Sequence, residues 1–203
     1  MANPLYDSLF GQHLESEAVF LHLPEEQSLT YGDFLRLVAQ YAGAFTDMGL
    51  VAGDRVAVQI EKSPQALAVY AACAQAGLVF LPLNTAYTAD EVTYFVENSG
   101  AGIVLGDDNK RSALEPIAKS CGARLETLNA NGSGSFADKA AGFPTVFDTV
   151  PREAGDLAAF LYTSGTTGRS KGAMLTQDNL LSNAQTLQKE WRFTARDVLL
   201  HAL

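Results

Sequence analysis

The chain has 203 residues, 47% of them hydrophobic and 18% charged, enough to bury a sizeable core in one or two domains. Its formal net charge is −9 and its 14 lysines and arginines are dispersed, which excludes the basic face that a nucleic-acid partner needs. Two cysteines, Cys73 and Cys121, make no disulfide framework, so a reducing cytosol is expected, with Cys73 in an apolar helical run as a core residue. The N-terminus lacks the basic and apolar regions of a signal peptide, and the longest apolar run, Ala66–Ala74, is too short to span a bilayer.

Residues 1–17 read as a short helix with Leu5, Leu9, Phe10 and Leu14 on one side. Residues 18–23 read as a strand, 24–27 as a turn, and 28–30 as a strand pairing back in a hairpin. Thr30-Tyr31-Gly32-Asp33 has capping-box spacing ahead of a helix that carries Phe34, Leu37, Val38, Tyr41 and Phe45 and stops at Gly49. A strand over 55–60 follows, then a helix capped by Ser63 and opened by Pro64, ended by Gly77. The strand over 79–83 completes a β-α-β unit, which predicts parallel pairing. Lys62 and Asn84–Tyr87 then fall at strand carboxyl ends, where such sheets bind ligands, although turn chemistry explains the same residues.

Thr88-Ala89-Asp90-Glu91 opens another boxed helix, to about Asn98, stopped by Gly100. A strand over 103–105, a helix over 110–120 made irregular by Pro116, and a strand over 124–128 continue the alternation. The fold class is therefore α/β, a doubly wound mainly parallel sheet with flanking helices. Residues 129–135 form a surface loop, 136–141 one or two helical turns, and 142–156 an irregular stretch. We place a sub-domain boundary there, dividing residues 1–150 from 151–203. Thr176 caps a helix to about Trp191, and residues 198–203 read as a strand. That last apolar run has no turn after it, which predicts that the chain is the N-terminal portion of a longer protein.

One stretch stands apart. The apolar run 157–161 leads into Tyr162-Thr163-Ser164-Gly165-Thr166-Thr167-Gly168-Arg169-Ser170-Lys171-Gly172, and Ala173-Met174-Leu175 follows. The pattern is strand, loop, strand. Glycines let backbone N–H groups approach an anion, rotatable hydroxyls add donors, and Lys171 adds a point charge. A flexible Gly/Ser/Thr linker would not sit between two apolar strands. The Walker A pattern does not fit either, because Ser170 replaces its second glycine, Gly172 replaces its Mg-binding hydroxyl, and no long helix starts at the lysine. The predicted phosphate-binding set is Thr163, Ser164, Gly165, Thr166, Thr167, Gly168, Arg169, Ser170 and Lys171, with Lys171 catalytic. No metal-ligand spacing is found; His13, His22 and His201 are too scattered.

Thr163–Gly172 resembles the signature loop of the AMP-forming adenylate family of acyl-CoA synthetases, peptide-synthetase adenylation domains and luciferases. The commonest form of that loop has proline before the lysine, where this chain has Ser170. Leu29-Thr30-Tyr31 and residues 76–84 resemble further blocks of the family. Glu61–Pro64, Leu81–Thr88, the Arg-Ser-Lys form of the loop, and residues 191–194 with 197–203 are similar to bacterial malonyl-CoA synthetases.

The resemblance implies an ATP-dependent acid–CoA ligase with malonate, ATP and coenzyme A as substrates and Mg2+ as cofactor. It implies no nucleic-acid or membrane partner and leaves the oligomeric state unknown. It also implies that the acid, adenine, metal and coenzyme A sites lie downstream of Leu203, so these residues alone are expected to be inactive. The alternatives are a non-catalytic nucleotide-binding or interaction module, an adenylate-forming enzyme for another acid, and a P-loop NTPase.

Overall fold

The computed structural model describes residues 2–163 and 170–200. The first helix, α1 (Pro4–Leu9), is shorter than expected and gives way to a 3-10 turn over Gly11–His13. Asn3 explains its start. Its Oδ1 accepts from the Tyr6 N–H at 3.1 Å, while its Nδ2 donates to the carbonyls of Ala74 (2.8 Å) and Val150 (3.1 Å). One buried amide thus ties three distant segments together.

Strands β1 (Val19–His22) and β2 (Ser28–Thr30) pair antiparallel in a hairpin of their own. Helix α2 (Tyr31–Asp47) buries Phe34, Leu35, Val38, Tyr41 and Phe45. Its expected capping box is one-sided. Thr30 Oγ1 accepts from the Asp33 N–H at 3.0 Å, but the Asp33 carboxylate takes the Thr30 hydroxyl (2.8 Å) and Arg36 (2.6 Å). Aspartate is a methylene shorter than the glutamate that completes such boxes.

The main sheet contains β3 (Arg55–Gln59), β4 (Val79–Pro82), β5 (Ile103–Gly106), β6 (Arg124–Thr127), β7 (Leu157–Thr163) and β8 (Lys171–Thr176). Their order across the sheet is β6-β5-β3-β4-β7-β8. All neighbouring pairs are parallel except β7–β8. The helices between strands are α3 (Pro64–Gln75), α4 (Ala89–Ser99), α5 (Arg111–Ser120) and α6 (Ser135–Ala140); α7 (Gln177–Glu190) follows β8.

The alternation of side chains along each strand feeds two cores. Val56, Val58, Ile103 and Leu105 pack with α1, α2, α3 and α6 on one face. Ala57, Leu81 and Val104 pack with α4 and α5 on the other. Burial on both faces is why these strands read as continuous apolar runs. The architecture is the doubly wound, mainly parallel α/β sheet that the alternation of elements implies.

Residues 142–156 form no regular element but are pinned through backbone atoms. Gln40 Nε2 donates to Phe143 O, Gln75 Nε2 to Phe147 O, and the Val150 N–H to Gln75 O. The expected strand at 198–200 is not formed. Val198, Leu199 and Leu200 are 78, 68 and 88% exposed, and the hydrogen-bonded neighbour of β8 is β7. A strand needs a partner for its N–H and C=O groups, and none of the described strands lies beside this segment. Residues 201–203 of that expected strand are outside the described residues. Both cysteines are free; Cys73 is fully buried, and burial pushes its thiol up.

Candidate phosphate-binding loop

Strands β7 and β8 bring the two ends of the predicted loop face to face. Thr163 pairs with Lys171 and Tyr162 with Gly172. Because β7 runs parallel to β4, Thr163 ends at the carboxyl edge of the parallel strands. Lys171 opens a strand, and the next helix begins six residues later at Gln177. The lysine therefore opens a strand and not a helix, unlike a Walker A lysine.

Of the predicted set, the structure brings Thr163, Ser170 and Lys171 together at the hairpin's mouth. Thr163 Oγ1 donates to the Lys171 carbonyl at 3.4 Å, and Lys171 is exposed. Ser164, Gly165, Thr166, Thr167, Gly168 and Arg169 lie outside the described residues. The glycine at 172 has a steric reason. A Cβ there would lie 2.1 Å from Phe160 Cε1, because that ring lies across the β8 backbone.

Helix α4 holds both arms of the hairpin. Tyr162 packs against Phe95 with the rings tilted and their centroids 4.2 Å apart, and its hydroxyl donates to Asn98 Oδ1 at 2.6 Å. Burial first, and then the neighbouring Tyr94, push the Tyr162 phenol up to about 12, so it stays protonated as a donor at neutral pH. The Tyr94 hydroxyl donates to the Ser170 carbonyl at 3.1 Å. Sequence reasoning did not single out Tyr94, Asn98 or Phe160. Their partners are far away in the chain, and no local spacing signals such a contact.

The other strand ends meet a cavity of about 620 Å3 lined by Glu61, Lys62, Asn84 and Thr85 among others. Here turn chemistry accounts for much of the polar inventory. Asn84 Oδ1 accepts from the Ala86 N–H at 2.9 Å, Asn84 O from Gln59 Nε2 at 2.9 Å, and Thr85 O from Lys110 Nζ. Lys62 is exposed at the rim. Asp107, just past β5, is buried between the ends of β5 and β3. Its Oδ1 accepts a long 3.5 Å bond from the Glu61 N–H, its Oδ2 has no partner, and burial raises its carboxyl above the ordinary range. Among the described residues no three His, Cys, Asp or Glu side chains gather into a metal-binding group. None of the described helices is long and apolar enough to cross a membrane.

The AMP-binding enzyme family matches residues 10–203. The chain belongs to that family. In this AMP-binding, adenylate-forming family, the chain is similar over its whole length to MatB from Rhodopseudomonas palustris. The two are 46% identical with a TM-score of 0.95, and the match covers 40% of MatB. An ATP-bound structure of the same protein matches equally well. A feruloyl-CoA synthase from Amycolatopsis is 35% identical over 77% of this chain and 30% of its own. The fatty acid–[acyl-carrier-protein] ligase ScoC of Streptomyces coeruleorubidus is 33% identical over 83% of this chain and 32% of its own. The chain thus spans between 30 and 40% of the length of these AMP-binding relatives.

Proposed function

We propose that the chain supplies the ATP phosphate clamp of an acid–CoA ligase whose acid is malonate. In the reaction, a carboxylate oxygen attacks the α-phosphorus of ATP, giving an acyl-adenylate and pyrophosphate. The thiol sulfur of coenzyme A then attacks the acyl carbon and AMP leaves. The first step sets anion against anion, so donors must wait where the pyrophosphate charge develops. We assign that task to backbone N–H groups from Gly165 to Gly168, to the hydroxyls of Thr163, Ser164, Thr166, Thr167 and Ser170, and to the charge of Lys171. Arg169 is assigned to the outer phosphate oxygens.

The observation that carries this reading is the Thr163–Lys171 pair, which sets the loop's ends together at the carboxyl edge of a parallel sheet. Whole-length likeness to MatB, including its ATP-bound form, supports ATP and favours malonate. The sequence relatives are named for ferulate and for fatty acids, so malonate rests on the likeness to MatB. The Mg2+ and coenzyme A sites are assigned to the protein downstream of Leu203, and no residue here is assigned to either. We also propose that residues 151–203 open a second sub-domain, joined to residues 1–150 by the β4–β7 pairing, and that the protein works in the cytosol.

Pyrophosphate release by the protein as its gene encodes it, with ATP and malonate, methylmalonate or acetate, tests the proposal. Release with malonate and little with acetate supports both halves. Release with a different acid discards malonate and keeps the ligase. No release with any acid leaves a nucleotide-binding module.

A further inference from the structure

We propose that Tyr94 is a positioning residue for Lys171, fixing the direction in which the lysine leaves the hairpin; this rests on the phosphate-clamp reading above. Tyr94 and Asn98 lie one turn apart on α4, so they share a face. That face meets the hairpin at two places. Asn98 takes the Tyr162 hydroxyl at 2.6 Å on the entering strand, and Tyr94 gives its own hydroxyl to the Ser170 carbonyl at 3.1 Å on the leaving strand.

The second contact has a geometric consequence that the first lacks. The peptide unit between Ser170 and Lys171 is a rigid plane, with the Ser170 oxygen on one side and the Lys171 N–H on the other. Holding the oxygen therefore sets the tilt of the plane from which the Lys171 Cα departs. Among the described residues the ladder's register begins at the Thr163–Lys171 pair, one residue past Ser170. Tyr94 supplies that constraint from another element, 76 residues earlier in the chain. Its ring is packed against Phe95 and Tyr162, with centroids 5.6 and 5.9 Å away, so the hydroxyl is presented by a fixed support.

The test is Tyr94→Phe in the protein as its gene encodes it, read in two ways. The carbonyl carbon resonance of Ser170 reports the hydrogen bond directly and should move upfield. Inorganic pyrophosphate, titrated against the amide resonances of Lys171 and Gly172, should bind about fivefold more weakly, the loss expected for one neutral hydrogen bond. The melting temperature should stay within a few degrees, which separates positioning from general destabilisation. An unmoved Ser170 resonance overturns the contact. A moved resonance with unchanged pyrophosphate affinity overturns the positioning role. Failure of the wild-type chain to bind pyrophosphate, with the Ser170 resonance still moving, overturns the clamp reading and the role that rests on it, while leaving the contact itself established.

Discussion

Lys171 and Gly172 divide chemistry and packing between them at the exit of the loop. In the proposed clamp, the lysine's charge acts on pyrophosphate as it forms, an interaction stronger in the transition state than with bound acid. Lys171→Ala is therefore expected to lower kcat for pyrophosphate release by about 10²-fold, with a smaller change in KM for the acid. Unchanged turnover would take the lysine out of the mechanism. Gly172 is required for space. A methyl group there meets the Phe160 ring at 2.1 Å, so Gly172→Ala should cost about 1–3 kcal/mol in thermal unfolding. Adding Phe160→Leu should recover part of the loss. The proposed loop stands out in the sequence because anion binding needs glycine, hydroxyl and cation close together. What supports them is not, since Tyr94 meets Ser170 only through the fold.

At the scale of elements, helix starts are legible because caps are local. Thr88 and Glu91 form the full box on α4, the helix that braces the loop. The Thr88 backbone N–H, followed by its hydroxyl, holds the Glu91 carboxyl below the ordinary range. A lowered folded value means that Glu91 contributes stability above the ordinary carboxylate range and loses it as pH falls through the lowered value. Glu91→Gln keeps a box-forming side chain that does not titrate, so its melting temperature should fall less steeply on acidification than the wild type's. Thr88→Ala should cost about 1 kcal/mol at neutral pH. Two other features escape a sequence reading. Asn179 completes a box with Thr176 where Glu or Gln is the usual partner. Glu25 and Glu26 both sit at φ 59°, a conformation that favours glycine or asparagine. Glu25→Asn with Glu26→Gly should stabilise the β1–β2 hairpin by about 1 kcal/mol, read as a higher melting temperature.

At the scale of the molecule, the class is legible because strands buried on both faces must be apolar throughout. Strand order is not, because nothing local in residues 157–163 says that β7 lies beside β4 rather than β6. The irregular stretch 142–156 likewise owes its path to Gln40 and Gln75, each a long way from it in sequence. The expected strand at 198–200 fails for the matching reason, since an apolar run specifies burial without supplying a partner.

The place of β7 bears on the order of assembly. Strands β3, β4 and β5, with α3 and α4 between them, are contiguous in the chain and can nucleate through short-range contacts. Adding β7 to β4 closes a loop that contains all of residues 83–156. That closure costs chain entropy before any ladder bond forms, so it should come late on the folding route. Substitutions at the β4–β7 seam or at Tyr162 should then speed unfolding while leaving the refolding rate nearly unchanged in stopped-flow measurements. A slowed refolding limb would place β7 in the nucleus instead. The late arrival means that the hairpin proposed as the nucleotide clamp is the last part of this sheet to form and the first to open under denaturant.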